Sequence, residues 1–118
     1  MKSLAIINSS APYGNSNYRE SLDMLLANAS YDRPVGLFFE GDGVFQLLKE
    51  TNAMLTGNKD VTKTYGLLEL YDIEDVFVCQ QSLNARHLTS HQLCIDVKVL
   101  DPPQWFSTLS TYNQAMSF

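Results

Sequence analysis

Residues 37 to 48 read Leu37-Phe38-Phe39-Glu40-Gly41-Asp42-Gly43-Val44-Phe45-Gln46-Leu47-Leu48, and this stretch decides the fold class. An apolar run typical of a buried strand is followed at once by a turn of glycines and carboxylates and then by an amphipathic helical pattern. This is the pattern of a βα unit, in which functional groups usually lie just beyond the carboxyl end of the strand. The turn has two interpretations. It is a binding site for a metal ion or a ribose, or it is a plain turn in which Asp42 caps the helix.

The same alternation continues along the chain. Strand patterns cover residues 3–8, 35–39, 76–79, 94–100 and 113–118. Helical patterns cover residues 18–29, 44–48, 61–71, 80–86 and 102–109, and residues 51–60 are predicted to form a surface loop. Alternating strands and helices predict an α/β fold, a three-layer α/β/α sandwich with a mostly parallel sheet of about five strands. At 118 residues we expect one domain that spans residues 1–118.

Composition narrows the class of protein. Eight basic and 13 acidic side chains give a net charge of −5, and the basic residues are scattered. Direct binding of RNA or DNA requires a clustered positive surface, so we do not expect this chain to bind nucleic acid itself. The apolar run from Leu4 to Ile7 is too short for a signal peptide or a membrane span, which predicts a cytoplasmic protein without membrane contact.

The motifs that could support metal or catalytic chemistry are incomplete. Glu40 and Asp42 offer too few oxygen ligands for a calcium loop, and His87 and His91 lack a third ligand. We therefore predict two solvent-facing histidines, no metal and no cofactor. Neither a phosphate-binding glycine motif nor a nucleophile elbow is present.

The two cysteines differ in their sequence context. Cys79 ends an apolar strand and precedes a short helix, so its sulfur could face the N–H groups that begin the helix, which stabilise a thiolate or a persulfide. Such a cysteine can accept sulfur and pass it on. The alternative is plain packing, because free cysteine is among the most buried residue types. We expect Cys94 to be a packing residue and both thiols to be free.

Four segments carry a resemblance to a known family. They are Ser10-Ala11-Pro12-Tyr13-Gly14, Arg19 to Ala27, Phe38 to Leu48, and Leu67 to Glu74 together with Val78-Cys79. Through them the chain resembles, nearly end to end, the DsrF type of the DsrE/DsrF-like family of sulfur relay proteins.

The resemblance implies a subunit of a sulfur-relay complex, a dimer of heterotrimers that also contains TusB-like and TusD-like subunits. Persulfide sulfur would pass through this complex from a TusA-like to a TusE-like carrier, toward 2-thiolation of wobble uridine in tRNA. The related DsrE, DsrF and DsrH proteins serve sulfur oxidation. The resemblance therefore also implies an alternative to tRNA thiolation, a DsrF-type subunit of a sulfur-oxidation complex.

Within that family the sulfur-carrying cysteine belongs to the TusD-like chain, in a stretch rich in alanine. Cys79 lies at the corresponding place, but Gln80 and Gln81 are bulkier than that stretch. Two roles therefore stay open, a non-catalytic assembly subunit and a direct persulfide carrier through Cys79.

Overall fold

A parallel five-stranded sheet forms the centre of the structure, a computed structural model that describes residues 3–9, 24, 27, 34–47, 75–93 and 95–118. Its strands are β1 Leu4–Asn8, β2 Val35–Phe39, β3 Val76–Cys79, β4 Lys98–Leu100 and β5 Gln114–Ser117. They lie in the order β4-β3-β2-β1-β5, and all four pairings are parallel. The helices are α1 Gln80–Ala85 and α2 Pro102–Leu109, with 3-10 helices at Gly41–Leu47 and Ser90–Gln92. The predicted α/β sandwich with a parallel five-stranded sheet is confirmed.

The two central strands are buried along their whole length. Every residue of β1 and of β2 is buried, and the two strands pair in register from Leu4 opposite Val35 to Asn8 opposite Phe39. A strand covered on both faces has no polar side, which is why residues 4–7 of β1 and all of β2 form continuous apolar runs without alternation.

Successive side chains of each strand enter two separate clusters, one on each face of the sheet. The first-face cluster contains the buried residues Leu4, Ile6, Val35, Leu37, Phe39, Val44, Leu47, Val76, Val78, Leu83 and Leu93. The second-face cluster contains Ala5, Ile7, Phe38, Phe77 and Trp105. The 3-10 helix and α1 therefore pack on the first face, and α2 packs on the second.

The strand order explains why α2 lies apart from the other described helices. The chain moves in one direction across the sheet from β1 to β4, and the connection from β4 to β5 returns to the far side of β1. Crossovers between parallel strands are almost always right-handed, so reversing the direction moves the connecting helix to the opposite face. Trp105 of α2 thus packs edge-on against Phe38, with ring centroids 5.2 Å apart.

Two elements differ from the sequence prediction. The helix after β2 is a 3-10 helix that begins at Gly41, where the N–H of Gly43 donates to the carbonyl of Glu40, three residues back, at 2.9 Å. The fourth strand is shorter than the predicted 94–100 range. Its partner strand β3 begins at Val76. Because Phe77 pairs with Lys98, Val76 lies opposite residue 97, and the residues before 97 have no β3 residue opposite them.

Other predicted boundaries are close to those observed. β1, α1 and β5 agree with the predicted ranges to within one residue, and β2, β3 and α2 agree fully. Of the predicted helix over 18–29, the structure describes Met24 and Ala27, and both are helical. The predicted loop over 51–60, the predicted helix over 61–71 and Cys94 lie outside the described residues. Among the described helices, none has the length and apolar character needed to cross a membrane.

Candidate functional site

Because the sheet is parallel, the carboxyl ends of β1, β2 and β3 lie along one edge, and the first polar residues after β1 and β2 meet there. Ser9 follows β1, and its hydroxyl donates to the carboxylate of Glu40, which follows β2, at 3.2 Å. The N–H of Glu40 also donates to the carbonyl of Asn8 at 3.0 Å. The ends of the two central strands are thus joined through both backbone and side chains.

The two glycines of the turn have different structural roles. Gly41 adopts a positive φ of 53°, and its N–H donates to the hydroxyl of Ser82 in α1 at 2.8 Å. Gly43 is buried against β1, where a Cβ atom would overlap the carbonyl oxygen of Asn8. The first glycine is required by backbone conformation, and the second by close approach of two backbones.

The carboxylate of Asp42 does not cap the helix, so this prediction was wrong. The 3-10 helix begins one residue earlier, and the Asp42 side chain instead accepts from Arg86, through Nη2 at 2.9 Å and Nε at 3.2 Å. Arg86 also donates through Nη1 to the carbonyl of Ser82 at 3.2 Å and lies 5.9 Å above the Phe45 ring. A pair separated by 44 positions in the sequence therefore ties the end of α1 to the turn after β2.

Cys79 lies at the same edge, as the last residue of β3 and the residue before α1. Its thiol is free and partly exposed, and its side chain makes no capping hydrogen bond to α1. The side chain points to the second face, where Cys79 packs against the cluster of Phe77 and Trp105. Arg86 belongs to the group on the first face, with Asp42 and Phe45. Cys79 and Arg86 thus contact groups on different faces of the sheet, although they are only seven positions apart.

The remaining candidate ligands do not gather into a site. His87 and His91 are exposed, as predicted, and His87 follows α1 with a positive φ of 54°. Within the residues that the structure describes, no group of three or more His, Cys, Asp or Glu side chains could hold a metal ion.

Local sequence patterns do not reveal the residues that connect α1 to the turn after β2. Arg86 and Ser82 were not singled out, because a single arginine near a helix end gives no sign of a partner in a turn 44 positions earlier. A weak signal did exist, since Ser82 and Arg86 are four positions apart and so share one face of a helix.

Comparisons with known proteins agree with this architecture. The family model described as "DsrE/DsrF-like family" matches residues 2–118. Curated relatives named "Protein TusC homolog" are 42% identical in Vibrio vulnificus strain CMCP6 and 37% identical in Aliivibrio fischeri strain ES114, with complete coverage of both chains in each case.

A solved structure supports the fold independently. The crystal structure of the ychN protein from E. coli superposes with a TM-score of 0.81 at 17% identity and full coverage of both chains. At that identity the likeness concerns the fold alone. The family rests on the sequence matches, which confirm the predicted resemblance: this chain belongs to the DsrE/DsrF-like family.

Proposed function

We propose that this chain is a subunit of a TusBCD-type sulfur-relay complex that passes persulfide sulfur toward 2-thiolation of wobble uridine in tRNA. The observation that carries the proposal is the similarity, over the whole chain, to proteins named as TusC homologues. The proposed partners are TusB-like and TusD-like subunits, with TusA-like and TusE-like carriers before and after the complex. The proposed location is the cytoplasm.

We propose further that the chain acts as a structural subunit, and the geometry at the end of β3 favours this role. A reactive thiolate is stabilised by a nearby cation or by helix N–H groups. The guanidinium of Arg86 is bound to Asp42 and Ser82 on the first face, whereas Cys79 packs on the second and makes no capping bond. Among the described residues, Cys79 packs against apolar side chains.

A second candidate role is that of a direct persulfide carrier through Cys79. The observation that favours it is a free, partly exposed thiol at the carboxyl end of the interior strand β3. In such a transfer, the Cys79 thiolate attacks the outer sulfur of a donor persulfide. A new S–S bond forms at Cys79 as the donor's S–S bond breaks, and the donor cysteine leaves as a thiolate, so no external oxidant is needed.

Complementation of a deletion strain tests the proposal and separates the two roles. We expect deletion to abolish 2-thiouridine at the wobble position, measured by mass spectrometry of digested tRNA, and Cys79→Ser to restore it as fully as the wild type. Cys94→Ser serves as the matched cysteine control. Failure of Cys79→Ser alone would assign the carrier role instead.

The deletion strain also tests the pathway. Normal tRNA thiolation in the absence of this chain contradicts the proposal. If sulfur oxidation is lost in that strain instead, the DsrF-type alternative is supported.

A further inference from the structure

β5 forms one edge of the sheet, and its hydrogen bonds to β1 fix the direction of its backbone groups. The N–H of Gln114 donates to the carbonyl of Ser3. Phe118 bonds to β1 in the same manner, since its N–H donates to the carbonyl of Ile7 and its carbonyl accepts from the N–H of Ser9. The even-numbered positions of β5 therefore turn their backbone groups toward β1.

The backbone groups of Ala115 and Ser117 point to the other side, because alternate residues of a paired strand direct their N–H and C=O groups in opposite directions. Among the described residues, no strand lies on that side of β5. All four side chains of β5 are exposed as well. Two N–H groups and two carbonyls thus form an open row along the edge, and such a row is a template for a further strand.

The two edges of the sheet differ in charge. β4 at the opposite edge carries Lys98, whose side chain is 61% exposed. A second copy paired to β4 would bring the two Lys98 ammonium groups close together, and like charges opposite each other destabilise a pair of strands. β5 carries no charged side chain, and neither does any residue from 102 to 118. Because the whole chain has a net charge of −5, two copies repel each other least when they meet through this neutral segment.

We propose that β5 pairs antiparallel with β5 of a second copy of this chain, across a two-fold axis at Met116, and so joins two sheets into one continuous sheet. In this register Ala115 lies opposite Ser117 of the second copy, and each such pair exchanges two hydrogen bonds. All the outward backbone groups of both edges are then used. A two-fold contact of this kind places the same surface on both chains and closes after two copies. The inference goes beyond the proposed function, since it concerns contacts between copies of this chain alone.

Met116 supplies the side-chain contact at the axis. It pairs in register with Ile6, a residue of the first-face cluster, and it is 39% exposed. In the proposed register Met116 lies opposite Met116 of the second copy as a non-hydrogen-bonded pair, with about 4.5 Å between the Cα atoms. Side chains at that separation contact each other, so each methionine covers the exposed part of the other.

Ser117→Pro tests the hydrogen bonds. Proline removes the outward N–H of residue 117 and leaves the bonds between β5 and β1 in place. Since each copy loses one donor, the dissociation constant of the dimer should rise about tenfold or more. Analytical ultracentrifugation of the purified full-length chain measures this constant. Ser117→Ala is the matched control, because it keeps the N–H, and it should stay within about twofold of the wild type.

Met116→Lys tests the position of the axis. The variant places two ammonium groups directly opposite each other, which should raise the dissociation constant about tenfold or more. Val99→Lys is the matched control, because Val99 is 37% exposed in the other edge strand and pairs with Val78 of the first-face cluster. That variant should stay within about twofold of the wild type.

A cross-link tests the register directly. Met116→Cys places two cysteines opposite each other at a Cα separation that a disulfide can span. Mild oxidation should convert this variant into a covalent dimer on a non-reducing gel, whereas the wild type and Val99→Cys, which share the native cysteines, should stay unlinked. Circular dichroism shows whether each variant is folded. If Ser117→Pro does not fold, the cross-link still decides the register.

The opposing outcomes are distinct. A wild-type chain that sediments as a monomer at the highest attainable concentration overturns the inference. A dimer that withstands both Ser117→Pro and Met116→Lys, or that Val99→Lys weakens equally, overturns it too. If the chain alone is monomeric and Ser117→Pro releases a different subunit from a reconstituted complex, the edge of β5 belongs to that subunit and not to a second copy. The proposed function is decided separately, by tRNA thiolation in the deletion strain.

Discussion

Arg86 binds Asp42 at 2.9 Å and thereby joins the helix that follows Cys79 to the turn that follows β2. The Arg86 side chain is 25% exposed, and that of Asp42 is 60% exposed. The same guanidinium donates to the carbonyl of Ser82 and covers the Phe45 ring. Three of these contacts, two with Asp42 and one with Phe45, join α1 to the turn after β2, and the fourth, with Ser82, lies within α1.

Replacing Arg86 by methionine should lower the free energy of unfolding by about 1 kcal/mol, because partly buried, multiply bonded pairs contribute more than exposed ones. Lys98→Met is the matched control, since Lys98 and Asp75 are more than half exposed and lie 3.5 Å apart. That change should cost less than about 0.5 kcal/mol. Urea denaturation measures both values, and an equal loss in the two variants would show that Arg86 has no special bracing role.

Gly43→Ala should be strongly destabilising, by about 2 kcal/mol or more, because the added Cβ overlaps backbone that cannot rotate away. Gly41→Ala is the comparison, since the nearest atom there lies 3.7 Å away and the cost comes from the positive φ. That strain amounts to about 1 kcal/mol. Chemical denaturation should rank Gly43→Ala as the more damaging change, and the reverse order would contradict the described approach of the turn to Asn8.

Gly36→Ala should also destabilise the protein, by about 1–3 kcal/mol, because its Cβ would collide with the hydroxyl end of Tyr112. Tyr112→Leu removes that hydroxyl end together with the ring, so Gly36→Ala should cost clearly less in a Tyr112→Leu background. A double-mutant cycle on thermal or urea unfolding measures this coupling. Strictly additive effects would show that the two residues do not meet.

Alkaline stability should depend on Tyr112. Burial raises the pKa of the Tyr112 phenol above its usual value of 10.0, and the negative charge of Asp75 raises it further. A raised folded-state pKa means that the stabilising contribution is complete below pH 10 and is lost as the pH rises from 10 through the folded pKa. Tyr112→Phe should abolish this part of the alkaline loss. The check is urea denaturation at several pH values, with phenolate absorbance showing one fewer late-titrating tyrosine in Tyr112→Phe than in the wild type.

Asp101→Ala should cost about 1 kcal/mol, because Asp101 caps α2 by accepting from the N–H of Gln104 at 2.9 Å. The side chain of Gln104 accepts in return from the N–H of Asp101 at 3.1 Å, which completes a capping box. Asp101→Asn keeps a capping oxygen and should retain most of the stability. If both variants lose the same amount in thermal unfolding, the capping bond is not the source of the effect.

Local patterns predicted most of the fold. The apolar runs at Val35–Phe39 and Val76–Cys79 became strands because a buried parallel strand needs apolar side chains on both faces. Pro102 and Pro103 began α2 because proline lacks the N–H that a helix start leaves unbonded anyway. Such signals act within a few residues and do not depend on the rest of the chain.

The candidate site was less predictable. The sequence predicts that Asp42 caps a helix, since an acidic residue before an apolar helical run commonly does so. Its actual partner, Arg86, comes from another element, and only the assembled sheet brings the two together. The tight 3-10 geometry at Gly41–Leu47 likewise depends on the approach of Gly43 to Asn8.

By itself, the sequence determined the α/β alternation, the family and the position of Cys79 at the end of an apolar strand, because apolar periodicity and turn residues act locally. The tertiary structure decided on which face each polar group lies. Strand alternation sends Cys79 to the face of Trp105, whereas α1 carries Arg86 back over the opposite face to Asp42. A strand directs neighbouring side chains to opposite faces, and a helix that follows it packs on one face only, so a thiol and a cation seven residues apart contact different groups.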